Sequence, residues 1–348
     1  MRTMTEKTDI IDLSKKDLAS WLQQRDLESY RSEQILKWIH ARQADDFFVM
    51  SNLKKDLRQL LSEHFTINRL KRKKIEESKD GTRKILFELK DKNCVETVLI
   101  PGKKRYTLCI SSQAGCAQGC EFCHTAKAGF KRNLSTSEII GQARDVQNMA
   151  STSLPLTNVV IMGMGEPLAN YQNVINALDI MTDPIAGLKF ASRKVTLSTS
   201  GLAPKIHDLG RDTHMNLAVS LNAADNKTRS MLMPINRKHP LEELLKACRM
   251  YNLAPRRRIT FEYILIKGVN DSEKDARRLA KLVSGIKSKI NLIPFNVFPG
   301  TDFRRPAAAT MDRFRETLVE NNQTAITRQS KGEDISAACG QLNAYDRG

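Results

Sequence analysis

The sequence predicts an α/β protein: a mainly parallel sheet flanked by helices, with a small helical domain and a β-hairpin before it. Three observations carry that prediction. From Tyr106 onward, short strand-like runs alternate with helix-period segments through six β–α units. Ahead of them, residues 1–68 hold three segments with helical apolar spacing. Between the two, Lys90-Asp91-Lys92-Asn93 is a turn separating two apolar runs of strand length.

Taken in order, residues 1 to about 10 read as a disordered start. Ser14 opens a helix through Gln24, with Leu18, Trp21 and Leu22 on one face. A second helix spans about Ser32 to Arg42, turning Ile35, Leu36 and Ile39 inward. Asn52 is placed to cap a third, carrying Leu53, Leu57, Leu60 and Leu61. The run Arg69-Leu70-Lys71-Arg72-Lys73-Lys74 reads as a solvated charged face that also suits phosphate contact. Lys84–Leu89 and Val95–Ile100 form the hairpin.

The strands that follow are Thr107–Ile110, Asn158–Met162, Lys194–Leu197, Asn216–Ser220, Thr260–Leu265 and Lys289–Ile293. Their helices are Thr136–Met149, Asn170–Met181, Leu202–Leu209, Leu241–Tyr251, Ser272–Ser284 and Met311–Asn321. Six units fall short of a closed eight-unit barrel. A last apolar run, Ala325–Thr327, precedes a segment ending near Leu342. The expected division is 1–68 helical, 69–105 basic linker and hairpin, 106–323 the β–α region, and 324–348 a C-terminal segment.

Composition narrows the function classes. The 348 residues are 41% hydrophobic, enough for a sizeable core, and no stretch has the apolar length of a membrane span. Residues 1–10 lack the apolar stretch of a secretory signal, so a cytoplasmic home is expected. Seven cysteines, an odd number, argue against a disulfide framework. Fifty-six basic residues against 39 acidic leave +17, which favours a polyanion such as nucleic acid. A membrane surface is the rival, but no basic amphipathic helix with an aromatic face stands out.

The most specific signal is Cys116-Ala-Gln-Gly-Cys120-Glu-Phe-Cys123, in a loop leaving the first strand of the β–α region. Thiolates are soft ligands for zinc, copper(I) or iron–sulfur clusters. Structural zinc usually takes four protein ligands, and His124 or another cysteine would have to supply the fourth. Three thiolates alone suit a cubane cluster with one iron left open for a small molecule.

C-x3-C-x2-C is the signature of the radical S-adenosylmethionine (SAM) enzymes. The flanking Ser111-Ser112-Gln113-Ala114-Gly115 and Phe130-Lys131-Arg132-Asn133-Leu134 resemble the RlmN/Cfr RNA methyltransferase family, a likeness running from about Leu13 to Leu342. It implies an open, partial (β/α)6 barrel, one [4Fe-4S] cluster on Cys116, Cys120 and Cys123, and an RNA-contacting N-terminal domain. By resemblance, SAM would be held by Gly165 and Glu166 of Gly163-Met164-Gly165-Glu166-Pro167, by Ser198, by Ser220-Leu221-Asn222 and by Asn296. The family commonly has histidine where Asn222 stands. His124 replaces a small residue, and no role is assigned to it.

The segment Asp334-Ile335-Ser336-Ala337-Ala338-Cys339-Gly340-Gln341-Leu342 matches the family's methyl-carrier motif. Alone, Cys339 would read as a small buried hydrophobe. The resemblance implies instead that one SAM methylates Cys339 and a second yields an adenosyl radical. The carrier carbon then joins adenine, Glu96 accepts a proton, and Cys109 resolves the bridge by disulfide exchange. Cys94 and Cys248 match no such role. The implied partners are 23S rRNA, tRNA as well, and a one-electron reductant such as flavodoxin with its reductase, with no membrane. Phe130–Leu134, Ser198–Gly201 and Asn291–Gly300 look more like the adenine-C2 branch of the family than the C8 branch. Two alternatives stay open: a Cfr-like adenine-C8 methyltransferase, and a non-catalytic, zinc-stabilised RNA-binding protein.

Overall fold

The structure, a computed structural model, describes residues 7–147, 149 and 154–344. The chain begins with strand β1 (Thr8–Asp9), which pairs in parallel with β2 (Phe65–Thr66). The expected disordered start therefore does not reach residue 8, and residues 1–6 lie outside the described residues. The Asp9 carboxylate accepts from the Ile11 and Asn68 backbone N–H groups, tying the two ends of the helical unit together. Helix α1 (Lys15–Gln23) is capped by Ser14, whose hydroxyl accepts from Asp17 N–H at 3.1 Å. Helix α2 (Arg31–Leu36) continues into a π-turn through Ala41, and α3 covers Lys55–His64. Asn52 does not cap α3. Its side-chain oxygen instead accepts from the Trp38 indole N–H at 2.5 Å, fastening the second helix to the loop before the third.

Strands β3 (Lys71–Glu77), β4 (Arg83–Glu88) and β5 (Cys94–Pro101) form an antiparallel meander, not a lone hairpin. The basic run read as a solvated face is largely the edge strand β3. It is polar on both faces, and Lys71 and Lys73 pair with Glu88, Lys74 with Glu76. A lysine-rich edge discourages further strand pairing.

From β6 (Tyr106–Cys109) the chain passes through β7 (Gln113–Gly115), α4 (His124–Lys127), β8 (Phe130–Asn133) and α5 (Thr136–Gln147). Then come β9 (Leu156–Ile161), α6 (Tyr171–Thr182), β10 (Val195–Thr199), α7 (Ala203–Asp212) and β11 (Asn216–Ser220). The last elements are α8 (Asn226–Leu232), α9 (Leu241–Met250), β12 (Ile259–Leu265), α10 (Glu273–Leu282), β13 (Ser288–Pro294), α11 (Ala308–Glu320) and β14 (Ala325–Thr327).

The main sheet runs β14-β13-β12-β11-β10-β9-β6-β5-β4-β3, parallel from β6 to β14 and antiparallel beyond. Its end strands do not pair with each other, so this is the open, partial barrel of the sequence reading. Two refinements follow. The apolar run Ala325–Thr327 is a seventh parallel strand against β13, and the meander is continuous with the barrel sheet.

The helical unit is not a separate body either. One apolar core runs from Ile10 and Leu18 through Ile139, Val219 and Phe261 to Leu342. Polar ties add to it. The Asp12 carboxylate accepts from the Ser137 N–H and hydroxyl at the start of α5, and the fully buried Arg144 of α5 donates to Ala44 C=O and Asp45.

Candidate active site

The cysteine loop hangs between two short antiparallel strands, β7 and β8. Its base closes where Cys116 N–H donates to Gly129 C=O at 3.0 Å. Gly115 has φ +75°, and a Cβ there would lie 1.9 Å from that carbonyl oxygen, so the approach is open only to glycine. Cys116, Cys120 and Cys123 line a single cavity at the carboxyl ends of the parallel strands. They are not disulfide-bonded, and burial pushes all three thiols up, Cys116 to about 12. Such thiols stay protonated until a metal displaces the proton.

The donor set fits a cluster better than a zinc ion. Among the described residues, no three His, Cys, Asp or Glu side chains gather closely enough to hold one metal ion. A cluster instead spreads its cysteine ligands over separate irons. His124 is engaged elsewhere: its ring stacks on Phe298 with centroids 5.1 Å apart, and Nε2 meets Asn343 Nδ2 at 3.0 Å.

On the next unit, Gly165 has φ +99° and sits against Gln113, where a Cβ would come within 2.5 Å of that side chain. Gln113 Oε1 accepts from Glu166 N–H at 2.8 Å, turning Glu166 toward the cavity. The Glu166 carboxylate accepts from Leu168 N–H at 3.0 Å and Ser200 N–H at 2.6 Å, and burial raises its pKa. Ser198 and Ser220 also face the cavity. Asn222 holds a left-handed φ of +57°, which asparagine tolerates better than most residues. Its side-chain Oδ1 accepts from Ile264 N–H, and its Nδ2 lies 3.3 Å from Met233 Sδ. Leu221 does not line the cavity; its side chain is wholly buried in the core.

Opposite the cysteine loop lies the segment after β14. Cys339 is exposed to solvent through the open cavity, although protein surrounds it closely enough that desolvation raises its thiol pKa. Backbone and side-chain bonds pin this segment. His124 N–H donates to Gly340 C=O at 2.7 Å and the Thr125 hydroxyl to Leu342 C=O at 2.6 Å. Asn296 Nδ2 donates to Cys339 C=O at 3.0 Å, and Gln341 Nε2 to Val297 C=O at 2.7 Å. The cysteine loop and the Cys339 segment are thus stitched directly together. Asn296 spends its amide on this link, while its carbonyl accepts from Arg305 and Ser330.

Cys109, at the end of β6, lines the same cavity, and burial, with the nearby Cys339 adding to it, lifts its thiol to about 12. Glu96 does not line the cavity. It is buried beneath the tail, where its carboxylate pairs with Lys84 at 3.2 Å and accepts from Asn343 N–H at 2.7 Å. Burial raises its pKa.

Three cavity-side residues had not been singled out. Arg229 is fully buried and donates to Ser200, Ser220 and Leu221 carbonyls, holding two strand ends in place. Glu262, inside β12, lines the cavity; Asn291 donates to one carboxylate oxygen, and the other has no partner among the described residues. Arg328 follows β14 at the cavity mouth. A charged residue within an otherwise apolar strand was the available signal for Glu262.

Comparison with known proteins decides the family. Residues 110–280 match the model of the radical SAM superfamily, and residues 8–67 that of a ribosomal RNA large subunit methyltransferase N-terminal domain. The chain is 55% identical to the dual-specificity RNA methyltransferase RlmN of Desulfosudis oleivorans, covering 97% of this chain and 91% of that protein. The chain belongs to the RlmN family of radical SAM RNA methyltransferases. An RlmN of Geobacter sulfurreducens is 51% identical, over 97% of this chain and 93% of its own length. A crystal structure of a radical SAM methyltransferase from Sphaerobacter thermophilus superposes with a TM-score of 0.90 at 40% identity, covering 97% and 100% of the two chains. Membership of the RlmN family implies a [4Fe-4S] cluster, SAM and an RNA substrate. It displaces the non-catalytic zinc reading. No helix among the described residues is long and apolar enough to cross a membrane.

Proposed function

We propose that this protein methylates C2 of adenine in the peptidyl-transferase centre of 23S rRNA, and of the adenine 3′ of the anticodon in tRNAs, through a methyl group carried on Cys339. The observation that supports this reading best is that Cys339, Cys109 and the three loop cysteines line one cavity. Cys116, Cys120 and Cys123 would hold one [4Fe-4S] cluster. Gly165, Glu166, Ser198, Ser220 and Asn222 surround SAM, and by resemblance Leu221 and Asn296 complete that set. When bound and reduced, this assembly supplies a 5′-deoxyadenosyl radical from SAM.

The chain's own residues do the rest. Cys339, as thiolate, takes a methyl group at sulfur and carries it between two half-reactions, so each turnover draws on two SAM molecules. The carried carbon gives a hydrogen atom to the 5′-deoxyadenosyl radical and bonds Cys339 to adenine C2, and the adduct passes one electron back to the site. Glu96 takes the proton released there; because Asn343 N–H and Lys84 hold its carboxylate, the tail must shift for it to act. Cys109 then attacks the Cys339 sulfur: a disulfide forms, the sulfur–carbon bond breaks, the released carbon takes up a proton to give the methylated base, and two electrons from the reductant restore both thiols. A flavodoxin-type reductant feeds electrons to the site, in the cytoplasm.

Nucleoside analysis of 23S rRNA and tRNA, with and without the gene, tests this. We expect 2-methyladenosine that depends on the gene; 8-methyladenosine alone would transfer the reading to the C8 branch. Mass spectrometry of the freshly expressed protein should find an added methyl on the Cys339 peptide.

A further inference from the structure

A second depression adjoins the catalytic cavity and shares Ile100, Arg328, Gln329 and Lys331 with it. One wall is the tight turn between β5 and β6, where Gly102 N–H donates to Arg105 C=O at 2.8 Å and Lys103, Lys104 and Arg105 project outward. The other wall is the stretch after β14, residues 328–331. No carboxylate lines the groove.

Its cations differ from the basic residues that are already held by carboxylates. Arg132 is clamped by Asp91 and Glu138, Arg313 by Glu273, and the β3 lysines by Glu76 and Glu88. Lys103, Lys104, Arg105 and Arg328, by contrast, are exposed and form no ion pair or side-chain hydrogen bond among the described residues. Lys331 reaches Asp80 only at 3.8 Å. Unpaired cations along a groove that adjoins the cavity holding Cys339 suit a polyanionic strand.

We propose that this groove is the track along which the substrate RNA strand approaches Cys339. Its phosphates are gripped by Lys103, Lys104, Arg105 and Lys331 on the outside and by Arg328 at the junction with the cavity. Such contacts position the strand without reading its sequence. The proposal rests on Cys339 being the group that meets the RNA base. An acidic protein partner such as the reductant is the competing occupant, but the groove opens on the Cys339 side of the cavity and shares none of the three cluster cysteines.

The test compares two triple variants of the full chain, K103A/K104A/R105A and K71A/K73A/K74A, which remove equal charge. The probe is a fluorescein-labelled anticodon stem-loop RNA carrying the target adenosine, titrated at several salt concentrations. The groove variant should bind roughly 10-fold or more weakly and lose about 2 from the slope of log affinity against log salt. The β3 variant should change less than about 3-fold, because its lysines are already neutralised. Equal losses in both, or none in the first, would overturn the groove. Intact RNA affinity with slower reduction by flavodoxin would overturn it too, and assign the surface to a protein. Cys339 methylation, read by mass spectrometry, should persist in both variants. Its absence in the unaltered protein would sink the carrier reading while leaving the RNA affinities to judge the groove.

Discussion

The two walls of the catalytic cavity are built differently. The cysteine-loop wall is fixed by the sheet itself: β7 and β8 clasp the loop, and a glycine leaves no room for the backbone to drift. Among the described residues the Cys339 wall has no strand beyond β14; it is held by the buried Ala337 and Leu342 and by hydrogen bonds involving Thr125, Asn296, Gln341 and the His124 N–H. Its thiol is exposed where the loop cysteines are buried or half-buried. A metal cradle needs fixed geometry, whereas a carrier must meet a methyl donor, a base and a resolving thiol in turn. On the proposed function, the way each wall is held follows the chemistry asked of it.

Five substitutions break or sharpen that contrast. Cys339→Ala should lower RNA methylation at least ~10³-fold while iron content and SAM cleavage to 5′-deoxyadenosine persist, since only the carrier is gone. Normal RNA methylation would remove the carrier from the scheme. Lys84→Met leaves Glu96 buried without its cation and should cost about 3 kcal/mol in denaturant unfolding. The sign with pH is definite. Burial raises the Glu96 pKa above 4.5, so its contribution to stability is fully present below that value and lost as pH rises through the raised one. The deficit of the variant should therefore shrink in acid; a constant deficit would contradict the pairing.

Glu166→Gln tests the cysteine-loop wall. Losing a buried carboxylate that accepts two backbone N–H bonds should weaken SAM binding by roughly 10- to 100-fold in equilibrium dialysis, with iron content unchanged. The smallest effect belongs to the Cys339 wall. Asn296→Ala and Gln341→Ala should each cost about 1 kcal/mol locally, seen as faster hydrogen exchange across residues 337–343 with unaltered exchange in the loop at 116–123. If both segments loosened together, the two walls would be one unit.

Much of this was legible from residues alone, because parallel strands advertise themselves as apolar runs and clustered thiols have few other uses. The six β–α units and the loop cysteines needed no structure. What stayed hidden has physical causes. Strand β3, Lys-Arg-Lys-Lys-Ile-Glu-Glu, has both faces toward water and so no alternation to read. β14 has only three residues and draws its place from pairing with β13. Asn52 looked like a cap because caps are local, but a distant indole claimed it. Glu96 read as an ordinary strand glutamate, and only the fold reveals Lys84 and the tail over it. Leu221 shares a motif with two cavity residues, yet just past the end of β11 its side chain is buried in the core.

The stitch between His124 N–H and Gly340 C=O has a consequence for biogenesis. Residues 328–344 are synthesised after β14 has completed the sheet, so this bond is among the last tertiary contacts the chain can make.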